Sequence, residues 1–166
     1  MESLTIQDVQ AALDGLGTGI RVQTFETSTA TSAEAAASIG TTLGSIVKSL
    51  VFMADGQPLV ILASGDQRID TRKLAAMYNI SRKKVKVATT EECVTIIGYA
   101  PGGVPPVGHR SRVPILIDQT LGRYEMVYAA AGAPNAIFPI PYAKLVEITG
   151  GQVADVVIEA GSEETT

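Results

Sequence analysis

The sequence predicts a mixed α/β domain built from antiparallel hairpins and interleaved helices. Three observations predict it. Two apolar runs rich in β-branched residues, 44–53 and 58–64, are separated by little more than Asp55-Gly56, a pair that favours a tight hairpin turn. Helical periodicities with recognisable caps fall before and after these runs without a regular βαβ rhythm. Finally, 166 residues with 46% hydrophobic and 18% charged content suit one domain able to bury a substantial core.

In chain order, Ile6, Val9, Leu13 and Leu16 recur at helical spacing over residues 5–16, and Gly15-Leu16-Gly17 stops the pattern. A short strand is expected over 20–25. Thr31-Ser32-Ala33-Glu34 matches a capping box that opens an Ala-rich helix ending near Gly40. The hairpin of 44–53 and 58–64 follows. Asp70 caps a helix expected to turn Leu74, Ala75 and Tyr78 inward and Arg72 and Lys73 outward. Residues 84–88 alternate as a half-exposed strand, and Thr89-Thr90-Glu91-Glu92 starts another helix with its acids at the positive end. Residues 114–118 and 124–129 read as strands, 141–149 as a short helix with Pro141 in its first turn, and 152–158 as a last extended segment. No linker divides the chain, so residues 1–160 are expected to form one domain and 161–166 a frayed acidic tail.

Composition excludes several classes. No apolar run approaches a bilayer span and the first residues lack a signal-peptide pattern, so a cytoplasmic protein is expected, with no membrane partner. One cysteine excludes a multi-cysteine metal site, and one histidine leaves few zinc ligands. Cys93 falls on an amphipathic helical pattern, which suits burial better than nucleophilic work. A net charge of −4 argues against indiscriminate nucleic-acid binding. Yet Arg68, Arg72, Lys73, Arg82, Lys83 and Lys84 crowd one segment, either as a phosphate-facing patch or as an ordinary solvated face.

Two features carry chemistry. Lys48 interrupts an apolar strand, where an unpaired ammonium is costly, so it must snorkel to water or meet a partner or ligand. The segment 98–109, Gly-Tyr-Ala-Pro-Gly-Gly-Val-Pro-Pro-Val-Gly-His, is too dense in Gly and Pro for helix or strand. Such a loop either presents backbone amides to a ligand or serves as a rigid connector. It lacks the spacing of a dinucleotide or P-loop motif.

Val-Lys-Ser-Leu-Val-Phe around Lys48, Ala-Ser-Gly-Asp-Gln-Arg-Ile-Asp after the hairpin, the Glu-Glu helix running into Gly-Tyr, and Gly-Gly-Val-Pro-Pro together resemble the YbaK family. These are free-standing proteins similar to the editing domain of bacterial prolyl-tRNA synthetases. The resemblance runs from about residue 30 to 149. It implies a barrel-like, largely antiparallel sheet flanked by helices, and a hydrolase that deacylates mischarged aminoacyl-tRNA without a cofactor. The implied substrate is a small amino acid such as Cys, Ala or Pro on the acceptor end of a tRNA. A synthetase is a further implied partner, and the state is monomer or homodimer. The tRNA's own 2′-hydroxyl is implied to help activate the water. By the same resemblance Lys48, Gly102 and Gly103 are the catalytic positions. Pro106 and Gly132 are substrate-binding positions by the same resemblance, and Val104 and Pro105 fall within the same loop. Two further substrate-binding candidates come from their places beside the loops: His109, as an orienting residue, and Asn135, as the polar group of a late loop that reads Ala131-Gly132 where many relatives carry Ser-Gly. A non-catalytic module that binds tRNA, nucleotide or synthetase is the alternative reading.

Overall fold

The computed structural model describes residues 2–159, so the expected tail at 161–166 lies outside the described residues. The elements are α1 (Ile6–Gly15), β1 (Gln23–Thr24), α2 (Ser32–Ile39), β2 (Ile46–Ala54), β3 (Gln57–Ser64), α3 (Thr71–Tyr78), β4 (Val85–Val87), α4 (Thr90–Glu92), β5 (Ile115–Asp118), β6 (Met126–Ala130), β7 (Ala136–Pro141), α5 (Tyr142–Thr149) and β8 (Gln152–Ala154). The eight strands form one mixed sheet in the order β1-β7-β6-β2-β3-β5-β8, with β4 also on β2. The pairs β1/β7, β2/β3, β2/β4 and β6/β7 are antiparallel, and β2/β6, β3/β5 and β5/β8 are parallel.

Local signals set most boundaries. At the β2–β3 turn both Asp55 (φ 51°) and Gly56 (φ 80°) are left-handed, as the two central residues of a type I′ turn must be. The Thr31 hydroxyl accepts from the Glu34 amide at 3.1 Å, and α2 ends on Gly40 in the left-handed region. The Asp70 carboxylate accepts from the Arg72 amide at 3.0 Å to open α3.

Three expectations are corrected. β7 was not anticipated because Pro139 and Pro141 argue against a strand. The carbonyl of Ala136 accepts from Ala131, on the β6 side, so alternate residues including Pro139 turn their backbone nitrogen to the outer edge, where β1 pairs only with Ala136 and Ile137. The missing N–H therefore costs no ladder bond. The first strand shrinks to Gln23–Thr24, those two residues alone meeting β7. Tyr78, expected inward, is 38% exposed, because it is the last residue of α3 before left-handed Asn79 ends the helix.

Alternation along β2 and β3 builds two faces. One carries Val47, Val51, Val60 and Leu62 and packs with Phe138, with Val9 and Leu13 of α1, and with Tyr99 and Val104 of the Gly/Pro loop. The opposite face is divided. Phe52, Leu59 and Ile61 pack with Leu74 of α3, while Ile46 and Ile137 pack with Ala35 and Ala36 of α2. Lys48, two residues from both Ile46 and Leu50, stands on this face where the two smaller cores meet.

Candidate active site

β2 keeps β3 along one edge for nearly its whole length, but its other edge changes partners. β6 pairs with Ile46 and Val47, and β4 with Phe52, Met53 and Ala54. The sheet is therefore split beside residues 48–51, closed at one end by the Ala88 amide donating to the Val51 carbonyl at 2.9 Å. Backbone groups of a strand alternate between edges, and the Val51 carbonyl and Asp55 amide both face β4. Ser49 therefore turns its own amide and carbonyl into the split.

The split opens on a cavity of about 180 Å³. Its walls come from residues 46–50, from the lead into α2 at 29–32, from Gly102 and Val104, and from Ala130 and Ile137. Lys48 is on this wall, and its ammonium donates to the Gln67 carbonyl at 2.5 Å. Burial and then the neighbouring Arg68 guanidinium lower its pKa below that of an ordinary lysine, against the weaker pull of Asp118 and Asp66. An ammonium has three donors, so the bond to Gln67 leaves capacity for a ligand.

The turn bearing Gln67 is braced from beneath. The Ser64 hydroxyl donates to the Gly44 carbonyl at 2.5 Å, and the Ser64 amide to the buried Asp118 carboxylate at 3.0 Å. Arg123 donates to Asp66 at 2.7 Å, which holds that carboxyl below its usual range. A Cβ on Gly44 would collide with the Tyr124 hydroxyl and approach the Asp66 carboxylate to 2.8 Å, so a side chain there would displace both from the turn.

The Gly/Pro loop is an internally stapled plug, with residues 103–107 all buried. The Gly103 amide donates to the Ala100 carbonyl at 3.1 Å, and the Tyr99 hydroxyl to the Gly108 carbonyl at 2.9 Å. His109 Nε2 lies 2.7 Å from the Pro105 carbonyl; a carbonyl only accepts, so that nitrogen carries the proton. Burial lowers the His109 pKa, with the Pro105 bond opposing. The Gly132 amide donates to the Gly103 carbonyl at 2.8 Å, joining the late loop to this one.

The sequence-predicted residues thus separate. Lys48, Gly102 and Val104 share the cavity. Gly103 does not line it; its amide is engaged, and a Cβ there would lie 3.1 Å from the Ala133 nitrogen. Gly132 packs beneath α1, where a Cβ would lie 3.1 Å from Val9. Pro106 and His109 line a different depression with Leu16 and Ile148, and Pro105 reaches neither wall. Asn135 donates to the Phe25 carbonyl at 3.2 Å and ties down the first strand. None of these six lines the cavity; each acts on it only through the loop it holds. Of the basic group, Arg68 adjoins Lys48, Arg72 pairs with Asp70, Lys73 with Asp155, and Lys84 with Asp55. Arg82 donates to the Thr71 hydroxyl, and Lys83 is exposed. Cys93 is buried in the larger core, where burial raises its thiol pKa. Among the described residues no three His, Cys, Asp or Glu side chains converge on a metal-holding group, and no helix is long and apolar enough to cross a membrane.

Two residues that sequence reasoning passed over also line the cavity. The Thr29 and Ser49 hydroxyls are buried and have no hydrogen-bond partner among the described residues.

Residues 26–148, which hold the whole cavity wall, match the model of the aminoacyl-tRNA editing domain. The chain belongs to that family. A solved structure described as a candidate trans-editing enzyme for prolyl-tRNA synthetase superposes on this editing domain with a TM-score of 0.87 and 38% identity, covering 96% of this chain and all of that one. The Bacillus subtilis (strain 168) protein YwhH, whose name assigns no function, is 33% identical over 80% of this chain and 83% of its own. EbsC of Enterococcus faecalis (strain ATCC 700802 / V583), named as a candidate Cys-tRNA(Pro)/Cys-tRNA(Cys) deacylase, is 28% identical over 75% of this chain and 76% of its own. The editing-domain match begins at Glu26, so α1 lies outside it, although Val9 and Leu13 complete the larger core.

Proposed function

We infer that the protein hydrolyses the ester joining a wrongly attached small amino acid to the 3′ end of a tRNA. The observation that carries this reading is Lys48 on the wall of a small cavity at the sheet split, shared with Gly102, in a chain of the editing family. The cavity is smaller than the ~300–1,000 Å³ of ordinary ligand pockets, which suits an aminoacyl group with the terminal adenosine left at the mouth. Lys48 then faces the ribose and phosphates there as a point charge, with the Arg68 guanidinium close behind it.

An aminoacyl ester is already activated, so position and oxyanion donors matter more than a strong nucleophile. A water oxygen bonds to the ester carbonyl carbon, and the bond from that carbon to the ribose oxygen breaks. The ribose oxygen takes up a proton, leaving a free amino acid and a tRNA with its terminal hydroxyl restored. The backbone of Gly102 and the split-facing amide of Ser49 are the donors in reach of the developing oxyanion.

The test is release of labelled amino acid from a panel of misacylated tRNAs, with the buffer rate subtracted. Release is expected for at least one small amino acid. Lys48→Ala should lower it by about 10²-fold or more, the worth of one electrostatic group at a reacting centre. Release no faster than buffer for every ester, or a fully active Lys48→Ala, overturns the reading. Binding of tRNA without release would make this a binding module.

A further inference from the structure

We propose that residues 2–13, α1 with its lead-in, form a clasp that fixes the two loops beside the cavity, and that Leu4 and Val9 are positioning residues for the reaction. Only the kinetic arm of the test rests on the deacylase reading.

Three glycines of those loops stand against this segment, two at the ends of the Gly/Pro loop and one in the late loop. A Cβ on Gly98 would lie 2.6 Å from Leu4, one on Gly108 3.3 Å from Ala12, and one on Gly132 3.1 Å from Val9 and 3.2 Å from the Thr5 backbone. None of the three lines the cavity, so what their missing side chains admit is the segment and not a ligand. Polar bonds hold the same contact. The Leu4 amide donates to the Gly98 carbonyl at 2.7 Å, and the Arg110 guanidinium to the Glu2 carbonyl. The Arg110 amide also donates to the Ile97 carbonyl at 2.7 Å, which closes the neck of the Gly/Pro loop. Gln10 anchors α1 in turn, donating to the Ile20 carbonyl and accepting from the Val22 amide, both at 2.8 Å.

From these contacts to the cavity is a short step. Gly103, whose carbonyl accepts from the Gly132 amide at 2.8 Å, sits between Gly102 and Val104, both on the cavity wall. Ala130 of the same wall lies two residues before Gly132. With Val9 against Gly132 and Leu4 against Gly98, one helix and its lead-in tie both loops to a single frame. Misplacing a group at a reacting centre by about 1 Å can cost about 10²-fold in rate. The segment lines no part of the cavity, so it acts on the rate only through the loops, Gly102 above all.

The test compares Leu4→Ala and Val9→Ala with the conservative Leu4→Met and with Ile80→Ala, an apolar truncation in the core beneath α3. In the first arm amide hydrogen exchange is followed by NMR. The readout is the rate at Gly132 relative to that at Val60, whose amide donates to the Pro114 carbonyl. This ratio is expected to rise about tenfold in the two alanine variants of the clasp and to keep its wild-type value in Leu4→Met and Ile80→Ala. In the second arm, kcat for ester release is expected to fall about tenfold in Leu4→Ala and Val9→Ala with KM within about twofold, and to be kept in the other two. Leu4 is only half-buried, so Leu4→Ala keeps the test readable should Val9→Ala fail to fold. An unchanged exchange ratio overturns the clasp whatever the kinetics. A raised ratio with kcat kept, or an equal fall of kcat in Ile80→Ala, overturns the positioning role. Release of no ester by the wild type overturns the deacylase reading, and the exchange ratio then decides the clasp alone.

Discussion

The ammonium of Lys48 is costly where it sits, and that cost made it legible: a charge within a Val/Ile/Leu run stands out in any reading of the chain. Thr29 and Ser49 did not stand out, because hydroxyls are common along the chain and only the sheet split reveals that these two are shielded and unpaired. His109 was legible as a residue but not as a location. Its ring turns back on the Pro105 carbonyl and braces the loop from behind. A depressed pKa in the fold means that the unfolded chain takes up the proton first as pH falls. Stability is therefore lost as pH drops below about 6.5, and the loss levels off once the folded His109 itself protonates. Urea midpoints measured near pH 7.5 and 5.5 should show a larger drop for the wild type than for His109→Gln, which has no such group; equal drops would remove His109 from the acid response.

At the scale of elements, caps and turns were readable because each is written in a few adjacent residues. The Asp55-Gly56 turn and the Thr31 and Asp70 caps all form. β7 was not readable, since only its place beside a two-residue edge strand makes Pro139 harmless. The Gly/Pro loop was recognised as shaped, but which amide faces the cavity depends on the Ala100–Gly103 staple, a contact that spacing does not specify. The join between this loop and the late one gives a sharp test. In Gly103→Ala the new methyl would lie 3.1 Å and 3.2 Å from backbone atoms of Ala133 and Gly132, so the loops must part. A loss of about 1–3 kcal/mol of stability is expected, together with a fall in kcat/KM for the ester. Gly56→Ala, whose Cβ meets nothing within 4 Å, serves as the comparison: its left-handed backbone costs stability, while kcat/KM stays. Unchanged denaturant midpoint and kinetics in Gly103→Ala would show that the two loops are not coupled.

Across the whole molecule, the overall charge of −4 conceals a local bias. α3 covers the same sheet face on which Lys48 stands, and Arg68, Arg72 and Lys73 lie at or just before its start. Two of these cations, Arg72 and Lys73, already have carboxylate partners, with which incoming phosphates must compete. Affinity for a tRNA acceptor stem should therefore fall with rising salt, but along a shallow slope, and Arg68→Gln should flatten that slope by about one phosphate contact. Affinity that does not change with salt would show that phosphates are not received here. The fold class was legible from the alternation of hairpin and helix; the sheet order was not, because the parallel β2/β6 and β3/β5 pairs join segments that share no local signal.

That β2/β6 pair has a consequence for how the protein comes into being. The hairpin of β2 and β3 is local and can close early, as short-range contacts do. The pairing of Val47 with Ala129 must wait for a segment from the far half of the chain and for the loop closure that brings it home. The cavity wall includes Ala130 of β6 and Ile137 of β7, so the cavity is complete only once both strands have docked, however early the strand bearing Lys48 is made.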